Sequence, residues 1–161
     1  MQARKAALLI LLGSVACAQP RAELSAEHAA AIADSARVFL ADFTRLSENA
    51  RWDSLAALYS ERADFRFVES GEVRYANAAA IRTALSAVPV GTRIKTAYTD
   101  LVVQPLGPGV AGVAAQFATQ FVDSAGVNFG FSGAITLTLQ HEPAGWRIVS
   151  GHSSAPVPRG P

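Results

Sequence analysis

The chain has 161 residues, 50% of them hydrophobic and 17% charged, with a formal net charge of +1. That balance excludes a disordered chain, which would be poor in apolar side chains and rich in charge, and the length fits one domain. Near-neutrality also removes the electrostatic grip on a phosphate backbone, so no nucleic-acid partner is implied.

Arg4 and Lys5 open the chain, and Ala6 to Val15 follow as an apolar run too short to span a bilayer. Small residues close the run at Ser14, Val15, Ala16, Cys17 and Ala18, which predicts a secretory signal peptide over residues 1–18. Two cleavages fit. One follows Ala18, with Ala16 and Ala18 as the small-residue site. The other precedes Cys17, because Ser14-Val15-Ala16-Cys17 resembles a bacterial lipobox with Ser where Leu is usual. Losing Arg4 and Lys5 with the leader turns the net charge from +1 to −1. Cys17 is the single cysteine, so no intramolecular disulfide can form, and Cys17 itself is either lipidated or cut away. The expected location is outside the cytoplasm: the bacterial periplasm, the outer membrane through a lipid on Cys17, or the surrounding medium. That anchor is the one membrane contact the sequence suggests.

Residues 19–24 read as a linker. Ser25 can cap a helix, with Glu27 in its first turn. Ile32, Ala36, Phe39, Leu40, Phe43 and Leu46 then trace one helical face, predicting a helix over 25–47. A shorter helix capped by Asp53 carries Leu55, Leu58 and Tyr59 on one side. Phe65, Phe67 and Glu69 alternate with Asp64, Arg66 and Val68 as a strand, Ser70-Gly71 turns, and Val73 to Tyr75 return. Asn77 caps a third helix, Ala78 to Val88, stopped by Pro89 and Gly91. Four long strands follow: Thr92 to Gln104, Val110 to Val122, Val127 to His141 and Trp146 to His152, joined by turns rich in Gly and Pro. The domain spans 25–154, and a Pro-rich tail over 155–161 is expected to be loose. Helices first and an antiparallel meander after them predict an α+β fold, with a curved antiparallel sheet packed on three N-terminal helices.

The two faces of that sheet differ. On the 110–122 strand the odd positions include Val113, Phe117 and Phe121, and on the 127–141 strand Phe129, Phe131, Ile135, Leu137 and Leu139. The even positions, among them Gln116, Ala118, Ala134 and Thr136, are small and uncharged. The odd set should face the helices. The even set makes a flat surface that is easily desolvated, suited to a second copy of the chain, and predicts a homodimer through Gln116, Ala118, Ala134 and Thr136.

Two stretches carry a family resemblance: Arg51-Trp52-Asp53-Ser54-Leu55-Ala56-Ala57-Leu58-Tyr59 leading into the Phe65 strand, and Gly145-Trp146-Arg147-Ile148-Val149-Ser150-Gly151-His152-Ser153-Ser154. With the element order, they resemble the nuclear transport factor 2-like superfamily, and within it the SnoaL-like and ketosteroid-isomerase-like group. The resemblance covers residues 25–154. It implies a cone-shaped, cystatin-like α+β barrel with a pocket at its open end. Gly130 and Gly133 offer places for the sheet to bend or bulge. Residues expected to line the pocket are Tyr59, Phe67, Tyr98, Phe117, Phe121, Phe129 and His152, each with ordinary core packing as the competing explanation.

Ketosteroid isomerase works with an Asp base, a Tyr and a protonated Asp in an apolar site. The present chain departs at all three places: the first helix has no Tyr, the base position falls on Phe67, and the 127–141 strand has no Asp or Glu. The remaining catalytic candidates are His152, Asp100 and Tyr98. If even residues of the 92–104 strand point inward, Asp100 would orient His152 as a general base with Tyr98 as donor. Some cyclases of the superfamily use a His–Asp pair. The competing explanation is a His152 that only hydrogen-bonds a neighbouring element. His28, His141 and His152 have no ligand spacing, so no metal is implied, and no Gly-rich phosphate loop or Gly-x-Ser-x-Gly nucleophile turn points to a cofactor or an acyl enzyme. Three functions follow as expectations: an exported pocket protein for a small apolar molecule, an isomerase, dehydratase or cyclase using His152 and Asp100, and a dimeric assembly domain with a filled pocket.

Overall fold

The computed structural model describes residues 24–123, 125–126 and 128–156. The expected leader at 1–18 with Cys17, most of the expected linker, and residues 157–161 of the expected tail lie outside the described residues.

Three helices precede most of the sheet. The first, α1, covers Ala26–Glu48, and the Ser25 hydroxyl accepts from the His28 amide at 3.2 Å to satisfy one of its open N–H groups. Ala33, Ala36, Phe39 and Leu40 are its buried stripe. The second, α2, covers Trp52–Ala56. Asp53 does not cap it, contrary to the sequence reading. The cap position falls on Arg51, which gives no side-chain hydrogen bond, and Asp53 sits in the first turn instead. There its carboxylate meets the positive end of the helix without replacing an amide partner. The third, α3, covers Ala78–Ser86, and the Asn77 side chain accepts from the Ala80 amide at 2.9 Å.

Six strands form one sheet: β1 Arg66–Glu69, β2 Glu72–Tyr75, β3 Arg93–Gly107, β4 Val110–Val122, β5 Asn128–Glu142 and β6 Gly145–Ser154. Their order is β2-β1-β6-β5-β4-β3. All neighbours are antiparallel except β1 and β6, which run parallel and bring Phe67 opposite Gly151. The last strand thus joins the short N-terminal hairpin to the meander, so the sheet is continuous. The helices gather on one face, with α1 against β3 and α2 against α3.

The odd residues of β4 and β5 do face the helices. Val113, Phe117, Leu137 and Leu139 are buried, and Phe65, Leu139 and Ile148 are fully so. Each such side chain contributes about 1.5–3 kcal/mol through removal from water. The even residues Gln116, Ala118, Ala134 and Thr136 are exposed on the opposite face. Polar ties hold the layers in register. Trp146 Nε1 donates to Ser35 Oγ, Ser47 Oγ donates to the Ile94 carbonyl at 3.1 Å, and the buried Ser60 Oγ donates to Glu142 Oε1 at 2.6 Å.

Two of the bulges occur at places the sequence did not mark with glycine. β4 and β5 pair without interruption through Gly130 and Gly133. The register slips elsewhere: on β3 between Thr99 and Val102, where Asp100 takes a left-handed φ of 51°, and on β6 opposite Thr138 and Leu139, where Val149 is the extra residue. Gly133 serves a different purpose. A Cβ there would overlap the Ser154 carbonyl and lie 3.1 Å from Ala155 Cα, so glycine lets the end of β6 cross closely over β5.

Candidate functional site

The short hairpin and α3 enclose a cavity of about 130 Å³ lined by Tyr59, Phe67, Glu69, Tyr75, Ile81, Ala84 and Leu85. Strand alternation builds one wall. Phe65, Phe67 and Glu69 share a face of the β1 segment, so the two rings enter the core and the carboxylate follows them to the cavity. Tyr75 lies opposite Phe67 on β2, with ring centroids 6.3 Å apart and edge-on. The buried-face residue Ile81 of α3, with Ala84 and Leu85 one turn on, closes the other wall. Tyr59 follows α2, where an isolated parallel bridge to Ile148 fixes its backbone, and its ring meets Phe43 and Phe65 edge-on at 6.1 and 6.0 Å.

Tyr59 and Tyr75 line the cavity, and Tyr98 lies within electrostatic reach of Tyr59. Burial raises the Tyr59 hydroxyl well above the ordinary phenol range, and Tyr98, Tyr75 and Glu69, all within electrostatic reach, raise it further. Burial likewise raises Tyr98, to about 12. Both phenols therefore stay neutral donors at physiological pH. Burial also pushes the Glu69 carboxyl above its usual value, and Arg74 pulls it partly back. Arg74 Nε stands 3.8 Å from Glu69 Oε2, too far for a hydrogen bond. Glu69 is the one charged residue in the lining, and its side chain is 41% exposed, which places it at the mouth.

The sequence-predicted site residues fall into three groups. Tyr59 and Phe67 line the cavity, and Tyr98 joins their electrostatic neighbourhood. Phe117, Phe121 and Phe129 do not line it. With Phe131 they form a separate cluster toward the β4–β5 turn, linked by ring contacts of 5.6 to 6.2 Å. Phe117 is buried, but Phe129 is 64% exposed.

His152 and Asp100 are the third group, and their expected inward orientation is corrected. The extra Val149 reverses parity on β6, so Gly151 points inward at Phe67 and His152 pairs with Thr136 on the exposed face. The bulge on β3 does the same to Asp100: Tyr98 is paired with the buried Phe117, whereas Asp100 is exposed. Two strands, β4 and β5, separate their strands in the sheet, a spacing of roughly 14 Å across three strand gaps. The structure does not bring them together.

Sequence reasoning missed Glu69 as a site residue. The signal was available: Glu69 continues the inward row of Phe65 and Phe67, and a carboxylate in such a row must either leave the core or find a purpose.

The six-stranded sheet packed on its helices, with a cavity beneath α3, has the fold of nuclear transport factor 2-like proteins of solved structure. A SnoaL-like domain model matches residues 36–158, and the chain belongs to that family. Solved structures agree on the fold. A nuclear transport factor 2-like superfamily protein from Salmonella enterica serovar Typhimurium is 15% identical with a TM-score of 0.66, covering 81% of this chain and 95% of its own. A candidate dehydratase of the same family from Streptomyces avermitilis is 18% identical with a TM-score of 0.66, covering 80% and 98%. A protein with a cystatin-like fold from Novosphingobium aromaticivorans is 18% identical with a TM-score of 0.61, covering 79% and 83%. No curated protein matches the sequence.

Proposed function

We propose that this protein binds a small, mostly apolar molecule in the Tyr59–Phe67–Tyr75 cavity, outside the cytoplasm. The carrying observation is the cavity itself: six of its seven lining residues are aromatic or aliphatic, and about 130 Å³ stays unfilled beside a well-packed core. For scale, an apolar cavity of about 150 Å³ takes up benzene. The ligand, or the part of it held inside, is therefore of that size. The leader supports export, with Cys17 as the lipid attachment point. The uncharged outer face around Thr136 supports a homodimer, which light scattering on wild type and Thr136→Arg would test.

Thermal-shift measurements with a panel of benzene- to naphthalene-sized compounds test binding. Compounds that fit should raise Tm in wild type and lose the effect in Ala84→Phe, whose ring would occupy the space. A panel that leaves Tm unchanged in wild type removes the proposal.

One observation favours a second, catalytic reading. Glu69 stands in the cavity wall with its carboxyl pushed up by burial, near the neutral Tyr59 hydroxyl. A base and a donor at one cavity suit proton transfer of the isomerase or dehydratase type. On that reading Glu69, not His152 with Asp100, is the base, and Glu69→Gln would abolish turnover of a substrate that wild type converts.

A further inference from the structure

The single charge of the cavity lining is negative, and no lining residue is cationic. Three aromatic residues, Tyr59, Phe67 and Tyr75, present π-systems whose faces are negative, and Glu69 is the single charged group. The raised phenols of Tyr59 and Tyr98 add no positive charge. The Glu69 carboxylate accepts no hydrogen bond among the described residues, and its nearest cation stands off at 3.8 Å. A half-buried carboxylate without a close donor is costly, so it favours a partner that brings one.

Arg74 shows what that partner looks like. Its guanidinium lies 6.0 Å from the centroid of the Tyr75 ring and beside Glu69, yet its side chain is 64% exposed. The chain's own cation therefore rests at the mouth on the same ring and carboxylate, without entering. Ring plus carboxylate is a combination that attracts a cation from both sides.

We propose that the cavity recognises the cationic head of a small organic ammonium compound, with the charged nitrogen between the Glu69 carboxylate and the rings of Tyr59, Phe67 and Tyr75. This rests on the cavity-binding reading above and specifies its ligand class. A trimethylammonium head, with methyl groups against Ile81, Ala84 and Leu85, is compatible with a cavity of about 130 Å³. The rest of the ligand leaves through the mouth, where Arg74 swings aside into solvent.

Titration calorimetry with choline and its neutral isostere 3,3-dimethylbutan-1-ol tests the assignment at fixed ionic strength. Wild type should prefer choline by about ten-fold, the range that cation–ring and carboxylate contacts supply. Glu69→Gln should erase that preference, read as the ratio of choline to alcohol affinity. Arg74→Ala, an exposed change that spares the core, should raise choline affinity by about two- to three-fold through loss of a competing cation. An alcohol that binds as well as choline overturns the ammonium assignment and leaves the cavity-binding reading standing. Failure of both, together with a silent apolar panel, removes both readings. A choline preference that survives in Glu69→Gln overturns the role of the carboxylate and with it the proposal.

Discussion

One face of one sheet carries two aromatic clusters with opposite fates. Near the short hairpin, Tyr59, Phe65, Phe67 and Tyr75 meet edge-on beneath the helices, and Phe65 is fully buried. Toward the β4–β5 turn, Phe117, Phe121, Phe129 and Phe131 also touch one another, yet Phe129 is 64% and Phe131 41% exposed. Alternation put both clusters on the same face. Coverage separates them. α1 packs mainly on β3, whereas α3 and the segment after α2 cover the rings near the hairpin, so one region of the face becomes a roofed cavity and the other an open shelf.

The sharpest break in that comparison is Phe65→Ala. Its ring has no exposed surface and supports Tyr59, so truncation should cost about 3–5 kcal/mol, read as a lower urea midpoint with an unchanged slope. A loss below about 1 kcal/mol would mean that the roofed end is no better packed than the shelf.

Gly151→Ala comes next. Its inward Cβ would overlap the Phe67 ring and lie 2.9 Å from Leu137 Cδ2, both buried. Overpacking of this kind costs about 1–3 kcal/mol and drives Phe67 toward the cavity. Lower stability and weaker ligand binding should therefore appear together. The same substitution on an outward-facing residue of this strand would change neither.

These two residues also show how far the sequence could be read. The β1 alternation, the Ser25 and Asn77 caps and the odd-even contrast of β4 and β5 are local patterns, and the architecture follows from them. His152 and Asp100 face outward because bulges that no Gly or Pro announces shift the parity of their strands. Asp100 takes a left-handed φ, which Asp tolerates better than most residues, and Val149 gives no local cue at all. Glu69 was legible by parity with Phe67. What alternation cannot supply is where the helices pack on that face, a long-range property that decides which rings are roofed.

Glu69→Gln tests the electrostatics of the roofed end. Burial raises the Glu69 carboxyl in the folded state, and Arg74 offsets part of that. The folded chain then holds the proton more tightly than the unfolded chain. Stability from this group falls as pH rises from the unfolded carboxyl value, about 4.3, through the raised folded value. Glutamine removes the penalty, so the variant should be the more stable at pH 7 and match wild type below about pH 4. With the side chain 41% exposed, the gain should stay under about 1 kcal/mol. Thermal melts across that range read it, and a variant less stable at pH 7 would show that the Arg74 pair outweighs burial.

The smallest effect belongs to the shelf. Phe129 keeps most of its surface in water and touches only Phe121 and Phe131 among the rings. Its truncation removes those contacts but leaves no cavity, because solvent already occupies the exposed side. Phe129→Ala should therefore change stability by no more than about 0.5–1 kcal/mol in the isolated monomer. Urea melts at several protein concentrations make the test sharper. An effect of Phe65 magnitude that grows with concentration would mean that another molecule roofs the shelf, and the contrast between the two ends would then describe the monomer alone.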